Sequence, residues 1–352
     1  MSSRLHAASG KGPLVSILIP AYNAQEWIGT AIQSALAQTW KAKEIIVVDD
    51  GSSDATLAVA RNLEAANVKV VSQENQGAAA ARNSAYTLCQ GDYIQWLDAD
   101  DVLDPRKIEV QLLDAARHSD RRILLSGAWA NFAYRTRKAH FVPTALWQDL
   151  TPVEWLWRKM ALNLHMQTDN WLVSRELSDA AGPWDHRLWR DNDGEYFCRV
   201  LLASDGVAFS AMAKSYYRAA GRKTVSRIDG SSRKLESLFL SMNLHMRYLR
   251  SLEDSERTRA ACVNYIRTWL HEFFPFRPDL GASLQAAAEA LGGERVSPRL
   301  SWKYQWLVQL FGWRAGRRAQ VTLPRIRASF AIAWDRAMYK AEGLWCPDAA
   351  RP

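Results

Sequence analysis

Apolar positions in the first 130 residues switch repeatedly between a strand-like and a helix-like pattern. Leu14-Val15-Ser16-Ile17-Leu18-Ile19 is a short β-branched run that predicts a strand, closed by Pro20. Trp27, Ile28, Ala31, Ile32, Ala35 and Leu36 then recur at helical spacing. A second strand is expected over 44–48. It ends in Asp49-Asp50-Gly51-Ser52 and leads into a helix with Ser52 or Ser53 as its cap. Residues 68–71 and 93–97 predict further strands around a helix over 78–88, and 123–125 a fifth strand. Such alternation implies right-handed crossovers and a mostly parallel sheet. Sheets of this kind bind ligands beyond their C-terminal strand ends. The polar clusters of this chain follow Ile19, Val48 and Leu97, at those ends.

From about 130 to 220 the pattern is mixed and rich in tryptophan, with Trp171-Leu172-Val173 strand-like. Beyond about 230 it becomes helical. Leu235, Leu238, Phe239, Met242, Met246 and Leu249 share one face, and Trp302, Trp306, Leu310 and Trp313 another. The expected organisation is a lead-in over 1–12, an α/β domain over 13–225, and a helical, basic, Trp-rich region over 226–352.

Composition narrows the class. The chain has 352 residues, 48% apolar and 23% charged, a globular balance sized for two domains. No apolar run approaches the length of a membrane-spanning helix, and Met1–Gly12 lacks the apolar core of a signal peptide. Four cysteines without a CxxC pair argue against zinc or a disulfide framework and suggest a reducing cytoplasm. The net charge of +8 is concentrated late: residues 301–352 hold nine Lys/Arg against three acids, and five of the 16 tryptophans. Two expectations follow for this tail. It lies on an anionic membrane at the inner face, or its tryptophans pack on the catalytic domain or a second subunit; the packing reading is preferred. No nucleic-acid motif accompanies the charge, so no nucleic-acid partner is expected.

Leu97-Asp98-Ala99-Asp100-Asp101 is the strongest chemical feature. Three carboxylates within four residues at a strand end repel one another, and a hard divalent cation, Mg²⁺ or Mn²⁺, relieves that repulsion. A cation held by few protein ligands keeps positions open for a diphosphate. Asp49-Asp50-Gly51 offers carboxylates to a base or ribose at the second strand end. Pro20-Ala21-Tyr22-Asn23 offers an aromatic on which a base can stack. Arg82, entering a helix after Asn75-Gln76-Gly77, offers charge to a phosphate. Singly, each also reads as a capped turn or a solvated loop. The Lys/Arg-bearing run 217–226 reads either as a diphosphate loop, through Arg218 or Lys223, or as a solvated basic loop. His165 and Thr168-Asp169-Asn170 are placed by position near an acceptor cleft, with His165 left out of the catalytic set.

Together these segments resemble inverting glycosyltransferase family 2, with its GT-A fold. The matching text is VSILIPAYNAQEWIGTAIQSALAQTW, EIIVVDDGSSDAT, NQGAAAARNSA and GDYIQWLDADDVLDP, and the resemblance covers roughly 13–215. It implies a Rossmann-like α/β sheet and transfer of a sugar from a nucleoside-diphosphate donor, uridine diphosphate being the expected carrier. The acceptor it implies is a glycan or lipid-linked hydroxyl. By the resemblance, Tyr22 and Asp50 contact the nucleobase, and Pro20 and Ala21 shape its pocket. Asp98, with Ala99, faces the ribose and Asp100 the metal, Asp98 being a second candidate ligand. Arg82 serves the donor. A later acidic motif is matched by Gly182 to Phe197, where Asn192-Asp193 stands in place of the family's Glu-Asp. Asp193 aligns with the catalytic base and Asp191 is the runner-up. An inverting transfer needs one such carboxylate to deprotonate the attacking hydroxyl.

Rival classes fit less well. A nucleotidyltransferase wants a Gly-rich loop where Pro20-Ala21-Tyr22-Asn23 stands, and no GxGxxG supports a dinucleotide oxidoreductase. A catalytically impaired module that binds nucleotide or scaffolds a complex is the alternative that the Asn192 departure leaves open.

Overall fold

The computed structural model describes residues 12–118, 122–219, 231–274, 276–294 and 302–343. The lead-in before residue 12, Lys223 and the boundary expected near 225 lie outside them. The elements in chain order are β1 (Val15–Ala21), α1 (Ile28–Leu36), β2 (Lys43–Asp49), α2 (Thr56–Arg61), β3 (Val68–Ser72), α3 (Ala78–Leu88), β4 (Tyr93–Trp96) and β5 (Val102–Leu103). Next come α4 (Lys107–Ala116), β6 (Ile123–Phe132), β7 (His140–Phe141), α5 (Pro152–Ala161), β8 (Val173–Ser174), α6 (Arg175–Ala181), α7 (Asn192–Ala203) and β9 (Gly206–Arg218). Four helices close the chain: α8 (Ser232–Leu252), α9 (Glu256–Phe273), α10 (Pro278–Ala290) and α11 (Gln305–Ala341).

The main sheet has the order β3-β2-β1-β4-β8, parallel except for β8. Its central strands are apolar at nearly every position because helices cover both faces. Val15, Ile17, Ile19, Ile45 and Val47 face one core with residues of α1, α2 and α4. Leu18, Ile46 and Val48 face the other, with α3 and the later helices. This is the mostly parallel, helix-flanked α/β sheet expected.

Three local expectations change. β1 continues through Pro20 to Ala21. Leu18 and Pro20 face the β4 side, where Leu18 O accepts from Leu97 N. By Pro20 the β4 strand has already ended, so no ladder partner is lost for want of an N–H. Neither Ser52 nor Ser53 caps α2; Asp54 Oδ1 accepts from Thr56 N at 2.9 Å instead. The predicted fifth strand exists but runs to Phe132 and leaves the main sheet. It pairs with β9 in a second sheet ordered β5-β9-β6-β7. The register of β6 against β9 slips after Gly127, where a Cβ would overlap the Ala213 carbonyl.

The helices after 231 are not a separate body. Leu235, Leu238, Met242, Met246 and Leu249 of α8 join one continuous core with Trp184, Tyr196 and Phe197. α11 differs. It is broken at Gly312, which has φ 77°, and carries Pro324. Trp306 and Leu310 are exposed rather than packed on the catalytic domain; the side chains of Trp302 and Trp313 lie outside the described residues. Its far end is anchored: Arg135 meets Asp335 at 2.6 Å and Glu342 at 2.7 Å, and the Tyr134 ring lies 5.8 Å from that of Tyr339. Among the described residues no helix is long and apolar enough to cross a membrane.

Candidate active site

The C-terminal ends of β1, β2 and β3 are sewn together by side chains. Asn23, in the left-handed region at φ 48°, donates its N–H to Ser52 Oγ at 3.0 Å, and its Oδ1 accepts from Ser53 N at 2.9 Å. Gly51 also sits at positive φ, and a Cβ there would come to 2.8 Å of Asn75 N, so only glycine fits the turn. Asp50 is buried. Its carboxylate accepts from Gln73 Nε2 at 2.8 Å, Gln76 N at 3.0 Å and Gly77 N at 2.8 Å. It therefore organises the 73–77 loop, a task its sequence context did not announce. The neighbouring Asp49 keeps Oδ1 without a hydrogen-bond partner. Tyr22 stands 54% exposed on this rim, its ring free to stack, above half-buried Pro20 and buried Ala21.

The acidic turn after β4 forms the second wall. Ala99 is buried in it. Asp98 is half-buried and Oδ1 accepts from Arg82 Nη2 at 2.7 Å. Asp101 is buried and accepts Arg218 N at 2.7 Å, so it braces the turn from behind. Burial, then the Asp98 charge, pushes the Asp100 carboxyl up to about 6. A hard cation beside it would reverse that shift. Among the described residues no group of three or more His, Cys, Asp or Glu is placed to hold a metal unaided. Asp100 and Asp98, hard oxygen donors side by side, are the residues that would hold a divalent cation here.

Arg218 does not reach outward as a diphosphate cation. It is buried, its guanidinium 4.1 Å from the Trp27 ring and 4.3 Å from Phe132, and Nε donates to the Asp100 carbonyl at 2.6 Å. Beneath the turn lies a buried polar layer. Lys107 Nζ bonds Gln95 Oε1 at 2.5 Å and Gln111 Oε1 at 2.7 Å, and burial lowers it to about 7. Burial raises the nearby Asp169 to about 7, with Lys107 pulling the other way.

Arg82 joins the two halves of the site. Its side chain is 6% exposed, stacks 4.4 Å over Trp184, and extends Nη1 to Asn192 Oδ1 at 3.4 Å. Asp98 and the start of α7 are thereby held by one guanidinium. Asp193 lies in the first turn of α7, where Thr168 Oγ1 donates to its Oδ2 at 3.4 Å. Its carboxyl is raised, first by burial and then by the Asp191 charge. Asp191 heads α7 in the left-handed region at φ 56° and does not cap it. Its Oδ2 accepts from Ser241 Oγ at 2.9 Å, with His245 Nδ1 at 3.7 Å. The adjacent Arg190 exchanges two backbone bonds with Ser237 Oγ, at 2.9 and 2.8 Å. Thus α8 supports the loop from behind, through residues no sequence motif marked. His165 is exposed, its ring 5.2 Å from Trp129, on the Thr168 side of the cleft. The structure therefore brings Asp98, Asp100, Arg82, Asn192 and Asp193 to one rim, with Tyr22 and Asp50 along the same strand ends.

The rim of this α/β sheet thus carries acids from the turn after β4 and from the first turn of α7. Residues 16–167 match the family model described as "Glycosyl transferase family 2". A 102-residue segment is 45% identical to chondroitin synthase of Escherichia coli, covering 28% of this chain and 15% of that protein. A 103-residue segment is 41% identical to the putative teichuronic acid biosynthesis glycosyltransferase TuaG of Bacillus subtilis, covering 28% of this chain and 41% of that protein. The matched segments span less than half the length of these relatives. The fold is shared with S. aureus TarS 1-349 in complex with UDP-GlcNAc, at TM-score 0.59 and 18% identity over 84% of this chain and 78% of that one.

Proposed function

We propose that the chain is an inverting glycosyltransferase that moves a sugar from a nucleoside-diphosphate donor to a hydroxyl of a glycan or lipid-linked acceptor. The observation that supports this reading is the Arg82 bracket, which bonds both Asp98 and Asn192, the residue before Asp193. The donor is read as a UDP-sugar because the TarS structure of the same fold holds UDP-GlcNAc. Relatives named for chondroitin, hyaluronan and teichuronic acid support a polysaccharide acceptor.

In this reading Tyr22 stacks on the base, and Pro20, Ala21 and the loop ordered by Asp50 shape its pocket. Asp98 and Ala99 flank the ribose. Asp100, with Asp98, would hold Mn²⁺ or Mg²⁺, which when bound would help neutralise a departing diphosphate. Asp193 takes the acceptor proton on a carboxylate oxygen, while Thr168 orients it. Its raised proton affinity makes it a stronger base than an exposed aspartate. Asp191 sits behind, committed to Ser241, which favours Asp193 as the base. The alternative of an impaired module drew on Asn192. Its amide oxygen serves Arg82 as an acceptor, a role that does not require an acid.

Release of UDP from a panel of UDP-sugars with Mn²⁺ tests the proposal. Asp100→Asn and Asp193→Asn are each expected to lower the rate about 100-fold. Turnover by both variants at the wild-type rate would overturn it.

A further inference from the structure

Along the outer part of α11, Leu323, Ile326, Phe330 and Trp334 are 49–74% exposed. Steps of three and four residues place them on one side of the helix. The docked side is different: Ile332, Asp335 and Tyr339 point toward Phe132, Tyr134 and Arg135. At 100° per residue the two sides are separated by roughly 170°. The stripe is therefore not the face that anchors the helix, and nothing else among the described residues covers it. Nearer its start, Trp306 and Leu310 are exposed as well.

Charge says what covers the stripe. Residues 305–341 hold seven Lys/Arg against one acid, Asp335. That acid is occupied: Oδ1 takes Arg135 Nε at 2.6 Å and Oδ2 takes Tyr134 N at 2.9 Å. Glu342, just beyond, is occupied by Arg135 and Arg137. α11 thus combines an exposed aromatic and aliphatic stripe with a net positive sequence, in which Arg318, Arg336 and Lys340 are exposed. A second copy would bring the same positive charge against it, whereas an anionic lipid surface meets both features. The helix does not reach the hydropathy of a spanning segment, so it would lie on the surface rather than cross.

We infer that α11 is a peripheral anchor that binds anionic phospholipid through Leu323, Ile326, Phe330 and Trp334. Its foot is close to the site. Tyr134 lies 5.3 Å from Trp27, and Trp27 covers the Arg218 guanidinium that holds the Asp100 carbonyl. An anchored α11 therefore keeps the catalytic rim near the membrane, where a lipid-linked acceptor would be met. The inference does not rest on the glycosyl-transfer reading and can fail separately from it.

The test is co-sedimentation of the full chain with vesicles of pure phosphatidylcholine and of phosphatidylcholine containing one-third phosphatidylglycerol. The comparison variant is Phe330→Glu with Trp334→Glu, whose exposed positions leave the melting temperature and UDP release in lipid-free buffer unchanged. Wild type is expected to sediment with the anionic vesicles only, and the variant to lose about tenfold in partitioning. Equal sedimentation of the two proteins, or none of wild type with anionic vesicles, would overturn the inference. So would a lipid-free dimer that the double substitution dissociates while vesicle binding is unchanged, for the stripe would then be a subunit interface.

Discussion

Replacing Arg82 by methionine is the most informative single perturbation of the site. The side chain keeps its length and apolar body but loses its charge and its two-pronged contact. In the native site the guanidinium makes a 2.7 Å ion pair to Asp98, a 3.4 Å bond to Asn192 and a 4.4 Å stack on Trp184. Breaking a fully buried pair costs about 3–5 kcal/mol. Asp98 is 32% exposed, so water re-solvates it and the cost is smaller. A hydrogen bond to a charged group contributes about 1.5–3 kcal/mol and the stack about 1 kcal/mol, which together place the loss near 3 kcal/mol. At about 2–4 °C per kcal/mol for a domain near 200 residues, melting should fall by about 6–12 °C. UDP release should fall further than stability explains, because Asp98 and the α7 start are no longer held together. Arg82→Lys, which keeps the charge but not the fork, should recover melting more than turnover. Thermal melts and kcat/KM for UDP release, measured below the melting range, read both effects. A methionine variant within 1 °C of wild type and within about twofold in kcat/KM would refute the argument that Arg82 assembles the site.

Other expectations follow from the same geometry. Gly194→Ala should cut UDP release by about tenfold or more with the donor KM little changed, because the new Cβ overlaps Asp191 Oδ1 and comes to 3.3 Å of His245; steady-state kinetics over donor concentration would show it. Asp50→Asn should lower stability by about 1–2 kcal/mol, since an amide cannot accept all three of the bonds from Gln73, Gln76 and Gly77; urea unfolding measures it. His245 is fully buried and lowered to about 4, chiefly by burial. The unfolded chain therefore takes up a proton near pH 6.5 that the native state refuses, and stability falls as pH drops from about 6.5 to about 4. The loss is about 3 kcal/mol at 1.36 kcal/mol per pH unit. His245→Gln should flatten the slope of unfolding free energy against pH in that window, and an unchanged slope would remove His245 as its source.

The sequence alone carried the parallel sheet, the helix over 78–88 and the placing of every polar cluster at a C-terminal strand end. These depend on local apolar periodicity and on residues adjacent in the chain, so neighbouring positions suffice to read them. The acid turn at Asp98–Asp101 was legible for the same reason: its carboxylates are crowded before any folding. What only tertiary structure decided lies between distant residues. Arg82 and Asn192 are 110 positions apart. The Ser241 support of Asp191 comes from a helix that looked like an appendage but shares the catalytic core. Arg218 read as a free cation and became a buried bracket, and Asp50 gained a loop to organise. Burial and hydrogen-bond partners are properties of the packed chain. A residue's type limits the bonds it can make, but the fold chooses which of them are made.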